Sequence, residues 1–257
     1  MSSLHVKTDK ETLAKLDEFY KSVSDTAEDV VFRIFPAKIL ELHQFIESTS
    51  TTTSPFNLLH SSTFTDTTVY PRPSGSEEPE IKKRKRVVDG SGVPNGAGIV
   101  KDIENARYPN LVLANKHMAK IHEDVKRECE QLADNCDKVK LWVNLNMPKI
   151  EDGDNFGVQI QEEVLQELHR SQESAYNLRD FARQDHLNRA KICSKLIKYP
   201  HIEDYTLGLR DHDDKHLFMA RQHLIDIRNV YAVLYDIISK NIAKLRKPKA
   251  NNSVGLY

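Results

Sequence analysis

The segment between Lys149 and Gly157 holds the residue types best suited to metal binding or recognition in this chain. It places acidic side chains close together and follows them with Phe156. A calcium loop would use Asp152, Asp154, Gly157 and Glu163 at the expected spacing. Phe156, however, stands where such a loop needs an oxygen ligand. The pattern therefore favours either a plain interhelical turn, capped by Asp154 or Asn155, or an acidic docking tip with an aromatic neighbour.

A second candidate for chemistry is the pair His212 and His216. The two histidines are spaced i, i+4, so they share one helix face. Such a pair is half of a zinc site. The sequence indicates no third ligand, and we expect the pair to face solvent; no metal and no cofactor are predicted. A hydrolase using His212, Asp213 and His216 is the least implausible enzyme. The chain has no Gly-rich phosphate loop, nucleophile elbow or HExxH motif, which argues against the common enzyme classes.

A basic run could bind a nuclear import receptor, which recognises cationic side chains on an extended segment. Its residues are Lys82, Lys83, Arg84, Lys85 and Arg86. The alternatives are a solvated charge cluster and weak nucleic-acid contact. Over the whole chain, 37 Lys and Arg nearly balance 38 Asp and Glu, for a net charge of −1. This balance excludes a general electrostatic affinity for nucleic acid. We expect a nuclear protein that could also be present in the cytoplasm.

The C-terminal segment, residues 248–257, is predicted to be a flexible tail. It is polar until Leu256 and Tyr257, whose apolar side chains lie beside the terminal carboxylate. This combination suits capture in a pocket of another protein. The alternative is ordinary fraying of a chain end.

Four long segments with helical periodicity must position these features. Apolar residues recur at steps of three and four over about 8–47, 108–147, 155–199 and 201–247. Pro148 and Pro200 mark short connections, so neighbouring helices should run antiparallel. The fold class is therefore all-α, an elongated up-and-down four-helix bundle, and Pro36 should kink or split the first helix. No apolar run is long enough for a membrane span, and no membrane partner is expected.

Residues 48–105 differ from the helical segments in composition. Between residues 48 and 68, 13 of 21 residues are Ser or Thr, and residues 48–100 contain most of the chain's Gly and half of its Pro. Few apolar side chains are available there to offset the entropy cost of ordering. We predict a long disordered insertion between helices 1 and 2.

Several strings on both sides of this insertion resemble the 11S (REG) proteasome activator family. They are Ala27–Val30, Phe35-Pro36, Trp142-Val143, Pro148–Gly153, Asn155–Val158, Ile160–Glu162, Tyr199–Tyr205 and Leu256-Tyr257. The chain lacks the Lys/Glu-alternating insertion of the alpha and beta types and has the basic run instead. It is therefore most similar to the nuclear gamma type.

The resemblance implies a heptameric ring of identical subunits that caps the 20S proteasome without ATP. It implies that the C-terminal tails, with Leu256 and Tyr257, insert between the proteasome α-subunits. It also implies an activation loop that holds their gate open and stimulates the degradation of peptides and unfolded nuclear proteins. The loop residues would be Lys149, Ile150, Glu151, Asp152, Gly153, Asp154, Asn155, Phe156 and Gly157.

Two further expectations follow from the resemblance. Lys191 would face the ring channel and influence which peptides pass. The family usually has Asn where this chain has Asp154, and Asp cannot donate a hydrogen bond from its side chain, which bears on the strength of activation rather than on docking. The chain would not itself be an enzyme. The alternative function is an oligomeric helical scaffold or adaptor that opens no gate.

Overall fold

The computed structural model describes residues 9–60, 113–149 and 155–249. The α-helices are α1 (Lys10–Asp29), α2 (Phe35–Ser48), α3 (Lys116–Leu145), α4 (Phe156–Lys198) and α5 (Glu203–Arg246). A π-helical turn joins α1 to α2, so the described chain forms four rods, and these ranges contain no strand. The predicted all-α four-helix bundle is confirmed. No helix in these ranges is both long and apolar enough to cross a membrane.

The break predicted at Pro36 is a π-helical turn, Val30–Ile34. Pro36 lies in the first turn of α2, where its missing N–H and fixed φ are tolerated. The wider turn ahead of it accommodates the proline ring without ending the rod. Phe35 is fully buried there, and its ring packs edge-on against Tyr231 of α5, with centroids 5.4 Å apart.

Helix α3 begins at Lys116, later than the predicted start near residue 108. Asn115 caps it: the side-chain oxygen accepts a hydrogen bond from the Met118 N–H at 3.1 Å. The side-chain amide of the same Asn115 donates to Asp213 of α5 at 3.0 Å. Residues 113–115 are therefore not helical, because a cap held by a distant helix fixes the boundary.

The core consists of two apolar clusters separated by a polar layer. The larger cluster runs along α2, α3, α5 and the first part of α4, and includes Trp142 and Tyr231. The smaller cluster, at the other end of α4, contains Cys193, Leu196 and Leu209. The chain between them buries polar side chains on three helices. These are Asn115, the N-cap residue of α3, and His122 on α3, Asp185 and Arg189 on α4, and Asp213 and His216 on α5.

Residues 49–60 correct the predicted start of the disordered insertion at residue 48. This segment is packed on the bundle: Phe56 is fully buried and its ring contacts Phe45 edge-on at 5.3 Å. Arg221 of α5 donates to the Thr49 hydroxyl at 2.7 Å. The Ser and Thr side chains that suggested disorder form local turn hydrogen bonds instead, and a single Phe provides the anchor. The rest of the predicted insertion, residues 61–105, lies outside the described residues.

Candidate functional site

The two segments predicted to bind a partner begin at the same end of the bundle. Helix α3 ends at Leu145, α4 begins at Phe156 and α5 ends at Arg246. Because α3 and α5 both arrive where α4 departs, the link after α3 and the segment after α5 leave the bundle side by side. This end of the bundle, called the link end, is the candidate functional site.

Gln161 holds the three helices together at the link end. Its side chain is completely buried on the second turn of α4. The amide nitrogen donates to the carbonyl of Asn146, after α3, at 3.2 Å and to that of Leu245, near the end of α5, at 3.0 Å. Carbonyls at helix C-termini have no partner within the helix, so one side chain satisfies an acceptor on each of two helices.

Gly157 allows the C-terminal segment to touch the start of α4. A Cβ atom at Gly157 would lie 2.2 Å from the Pro248 carbonyl oxygen and 2.7 Å from its Cα. Both contacts are with backbone, so no side-chain rotation could relieve them. Lys249 adds a long hydrogen bond of 3.4 Å to the Lys149 carbonyl. The base of the tail is thus in direct contact with both ends of the link.

A surface ion pair connects the first rod to the same end. Arg246, the last residue of α5, donates two hydrogen bonds to the Glu28 carboxylate, at 2.9 and 2.8 Å. Both side chains remain partly exposed, so the contribution to stability is small. The pair nevertheless fixes the direction in which the chain leaves α5, because a bidentate guanidinium contact is specific in geometry.

The described part of the link presents Phe156 to solvent. Its side chain is 61% exposed at the first position of α4. Asn155 precedes it as the N-cap residue but makes no side-chain capping hydrogen bond, unlike the capped turn considered from sequence. Ile150, Glu151, Asp152, Gly153 and Asp154 lie outside the described residues, as do Leu256, Tyr257 and the basic run of residues 82–86.

Two family models match the chain on either side of the predicted insertion. The description "Proteasome activator PA28, N-terminal" covers residues 10–63, and "Proteasome activator PA28, C-terminal" covers residues 111–255. The chain belongs to the PA28 proteasome activator family. The predicted resemblance is confirmed, and so is the predicted function, activation of the 20S proteasome; a scaffold without that activity is not favoured.

Relatives of PA28 type match this chain along its whole length. It is 36% identical over 265 residues to proteasome activator complex subunit 3 of Gallus gallus, and 34% over 272 residues to that of Homo sapiens, with all of each chain covered. The crystal structure of the 11S subunit of the Plasmodium falciparum proteasome, PA28, superposes with a TM-score of 0.74 at 28% identity. That match covers 97% of this chain and 98% of the other.

In this PA28 chain, Lys191 lies far from the link end. It is exposed on α4 and makes a 3.4 Å hydrogen bond to Asn188. It is 34 residues along α4 from Gly157, or about 50 Å at ~1.5 Å per residue. Its predicted position in a ring channel stays a prediction.

The histidines behave differently from the expectation of a solvent-facing pair. His216 is 5% exposed, and both His212 and His216 approach Asp185 of α4, together with His122 of α3. Asp213 points elsewhere, to Arg189 and Asn115, so the three residues considered for a hydrolase do not form one site.

Sequence reasoning missed His122 and Asp185. The sequence does contain a signal for both residues, which is their spacing from buried apolar neighbours. His122 lies between Met118 and Val125 on a buried stripe, and Asp185 follows Ala182 by three residues. A polar residue in apolar register marks a buried polar layer rather than a solvated face.

Proposed function

We propose that the chain assembles into a ring, seven-membered by its family, that docks on the 20S proteasome and opens its α-subunit gate. The observation that carries this proposal is the joined link end. The tail base contacts the link through Gly157 and Pro248, and Gln161 connects both to the bundle. A tail anchored in a pocket would therefore position the link on the adjacent surface at a fixed distance.

Tail and link would make separate contributions to activation. Each tail contributes a weak contact, and several tails on one ring raise the overall affinity steeply by effective concentration. The link needs only to bind the open gate better than the closed one in order to shift the gate equilibrium. The exposed Phe156 beside the acidic residues 151–154 gives the link both apolar and charged surface for that contact.

Self-association is supported by apolar side chains that α1 leaves exposed. The residues from Lys10 to Ser22 are all exposed in the single chain. Four of them are large and apolar, with 39% to 48% exposure: Leu13, Leu16, Phe19 and Tyr20. Such a patch on an otherwise charged helix is typical of a protein–protein interface, and a neighbouring copy would cover it.

The proposal includes nuclear import but no catalysis by the chain itself. The basic run, Lys82 to Arg86, would be recognised by an import receptor. Replacing all five with Ala in a fluorescently tagged full chain should move the protein from nucleus to cytoplasm. Unchanged nuclear accumulation would contradict this part of the proposal without affecting proteasome activation.

The deciding experiment mixes the purified chain with 20S proteasome and a fluorogenic peptide. We expect hydrolysis to rise with added protein, and we expect deletion of Leu256 and Tyr257 to abolish both the rise and co-sedimentation. The control is deletion of Asn251 and Asn252, which shortens the tail by the same length but keeps the terminal residues. An intact chain that leaves peptide hydrolysis unchanged at micromolar concentration would contradict the proposal.

The same assay tests the effect of Asp154, which stands where the family usually has Asn. The substitution Asp154→Asn removes a charge and restores a side-chain hydrogen-bond donor. We expect stronger stimulation with unchanged affinity for the proteasome, because the tails supply binding. Equal stimulation by both proteins would show that this position does not set the strength of activation.

A further inference from the structure

The buried polar layer of the bundle contains a group of imidazoles around one carboxylate. His122 comes from α3, Asp185 from α4, and His212 and His216 from α5. His122 is 3% exposed and Asp185 is 1% exposed. Burying an isolated polar group costs folding free energy. The convergence of these side chains from three helices therefore requires a physical reason.

The contacts within this cluster leave one buried nitrogen unsatisfied. Asp185 accepts hydrogen bonds from Nε2 of His122 and from Nε2 of His212, each at 2.8 Å. Nδ1 of His216 lies 3.1 Å from the same carboxylate, but it is not aligned for a hydrogen bond and has no other hydrogen-bond partner among the described residues. A side chain that is 95% buried thus directs an unused nitrogen into the cluster.

Burial and hydrogen bonding perturb the pKa values of two groups in the cluster. Burial raises the pKa of Asp185, but the hydrogen bonds from His122 and His212 outweigh it and hold that pKa below its ordinary value. Burial lowers the pKa of His216 to about 4. All the ion pairs of Asp185 in the described part of the chain are with histidines.

The nearest arginine is paired with a different carboxylate. Arg189, one turn after Asp185, donates to Asp213 at 3.0 Å, and this pair neutralises itself. Phe181 stacks on the His216 ring with centroids 4.7 Å apart, which fixes the ring orientation and excludes water on that side. The cluster is therefore an enclosed site lined by one carboxylate and three imidazoles.

We propose that His122, Asp185 and His216 bind a divalent transition-metal ion, with zinc as the best fit. Their ligand atoms all lie within 4.8 Å of one another, so small side-chain shifts bring them to a common centre. Two imidazoles and a carboxylate are a donor set that zinc commonly takes, whereas calcium and magnesium prefer oxygen. His212 would position the carboxylate through its hydrogen bond.

The ion would have a structural role. The ligands come from α3, α4 and α5, so one ion would connect three rods at the level where the two apolar clusters are interrupted. The site lies toward the end of the bundle opposite the link end: Asp185 is 13 residues before the end of α4, and His216 is 13 residues after the start of α5. Metal binding is therefore a property separate from contact with the proteasome.

The test uses the full chain without an affinity tag, stripped with a chelator and titrated with Zn²⁺ or Co²⁺. We expect one ion per chain, an intense tetrahedral Co²⁺ absorption, and a melting temperature several degrees higher when zinc is bound. His216→Gln and Asp185→Asn should weaken binding by about 100-fold or more, beyond the range typical of loss of a supporting contact. His186→Gln is the matched control, because that ring is exposed and lies 5.9 Å from His122.

Specific outcomes would overturn the metal site. It is wrong if the wild-type chain takes up no zinc, or if the Asp185→Asn variant takes up as much as the wild type. Helix content by circular dichroism establishes that each variant folds. Where a variant does not fold, X-ray absorption of the zinc-loaded wild type decides: a shell with two imidazoles supports the site, and any sulfur ligand overturns it.

Discussion

At the scale of a single residue, Gly157 tests whether contact between tail and link matters for function. Gly157→Ala places a methyl group where the Pro248 backbone now lies, so the C-terminal segment must move away from α4. We expect stimulation of peptide hydrolysis to fall several-fold while helix content stays the same. The measurement is the rate of 20S peptide hydrolysis at saturating activator.

The chain offers a matched control at Gly208. This glycine lies inside α5, and a Cβ there would meet nothing within 4 Å. Gly208→Ala should stabilise the protein by about 1 kcal/mol through helix propensity and leave activation unchanged. Equal activity of the two variants would mean that the contact at Gly157 has no part in activation.

Gln161 tests how the link end is held. Gln161→Leu keeps the buried volume but leaves the carbonyls of Asn146 and Leu245 without their donor. Since the site is fully buried, we expect a loss of about 1 to 3 kcal/mol in the free energy of unfolding measured in urea. Gln159→Leu, on the exposed side of the same turn, should change it little. A Gln161→Leu variant with an unchanged free energy of unfolding would contradict the role assigned to this amide.

At the scale of elements, Phe56 should determine whether residues 49–60 stay on the bundle. Phe56→Ala removes a fully buried ring and its contact with Phe45. We expect a loss of about 3 kcal/mol and faster proteolytic cleavage within residues 49–60. Leu59→Ala is the control, because Leu59 is 70% exposed. Cleavage at the same rate in both variants would argue against the anchoring role.

The elements also show what the sequence could and could not predict. The four rods were predictable because each one carries apolar residues with helical spacing, although α1 leaves Leu13, Leu16 and Tyr20 exposed. The start of α3 was not, because the Asn115 cap is held by Asp213, 98 residues away. The packing of residues 49–60 depends on Phe56 and on Arg221 of α5, which no local pattern reveals. The link was predicted from its motif, but the contact of Gly157 with Pro248 could be found only from the folded structure.

At the scale of the whole molecule, three properties are placed in different parts of one bundle. The link end holds the segments that would meet a partner, and the buried His and Asp cluster lies toward the opposite end. Exposed apolar residues of α1 lie on the first rod. This separation means that the His and Asp cluster and the link end can be altered independently, whereas loss of self-association should also weaken docking.

Self-association gives the prediction that applies to the assembled molecule. Phe19→Asp places a charge in the exposed apolar patch of α1, where burial against a second copy would be unfavourable. We expect the mass measured by analytical ultracentrifugation to fall from an oligomer to a single chain with unchanged helix content. Stimulation of the proteasome should fall with it, because a lone tail lacks the avidity of a ring. Lys21→Asp, two positions along the helix and therefore on another side, should keep both properties. An oligomer that tolerates Phe19→Asp would place the interface elsewhere on the bundle.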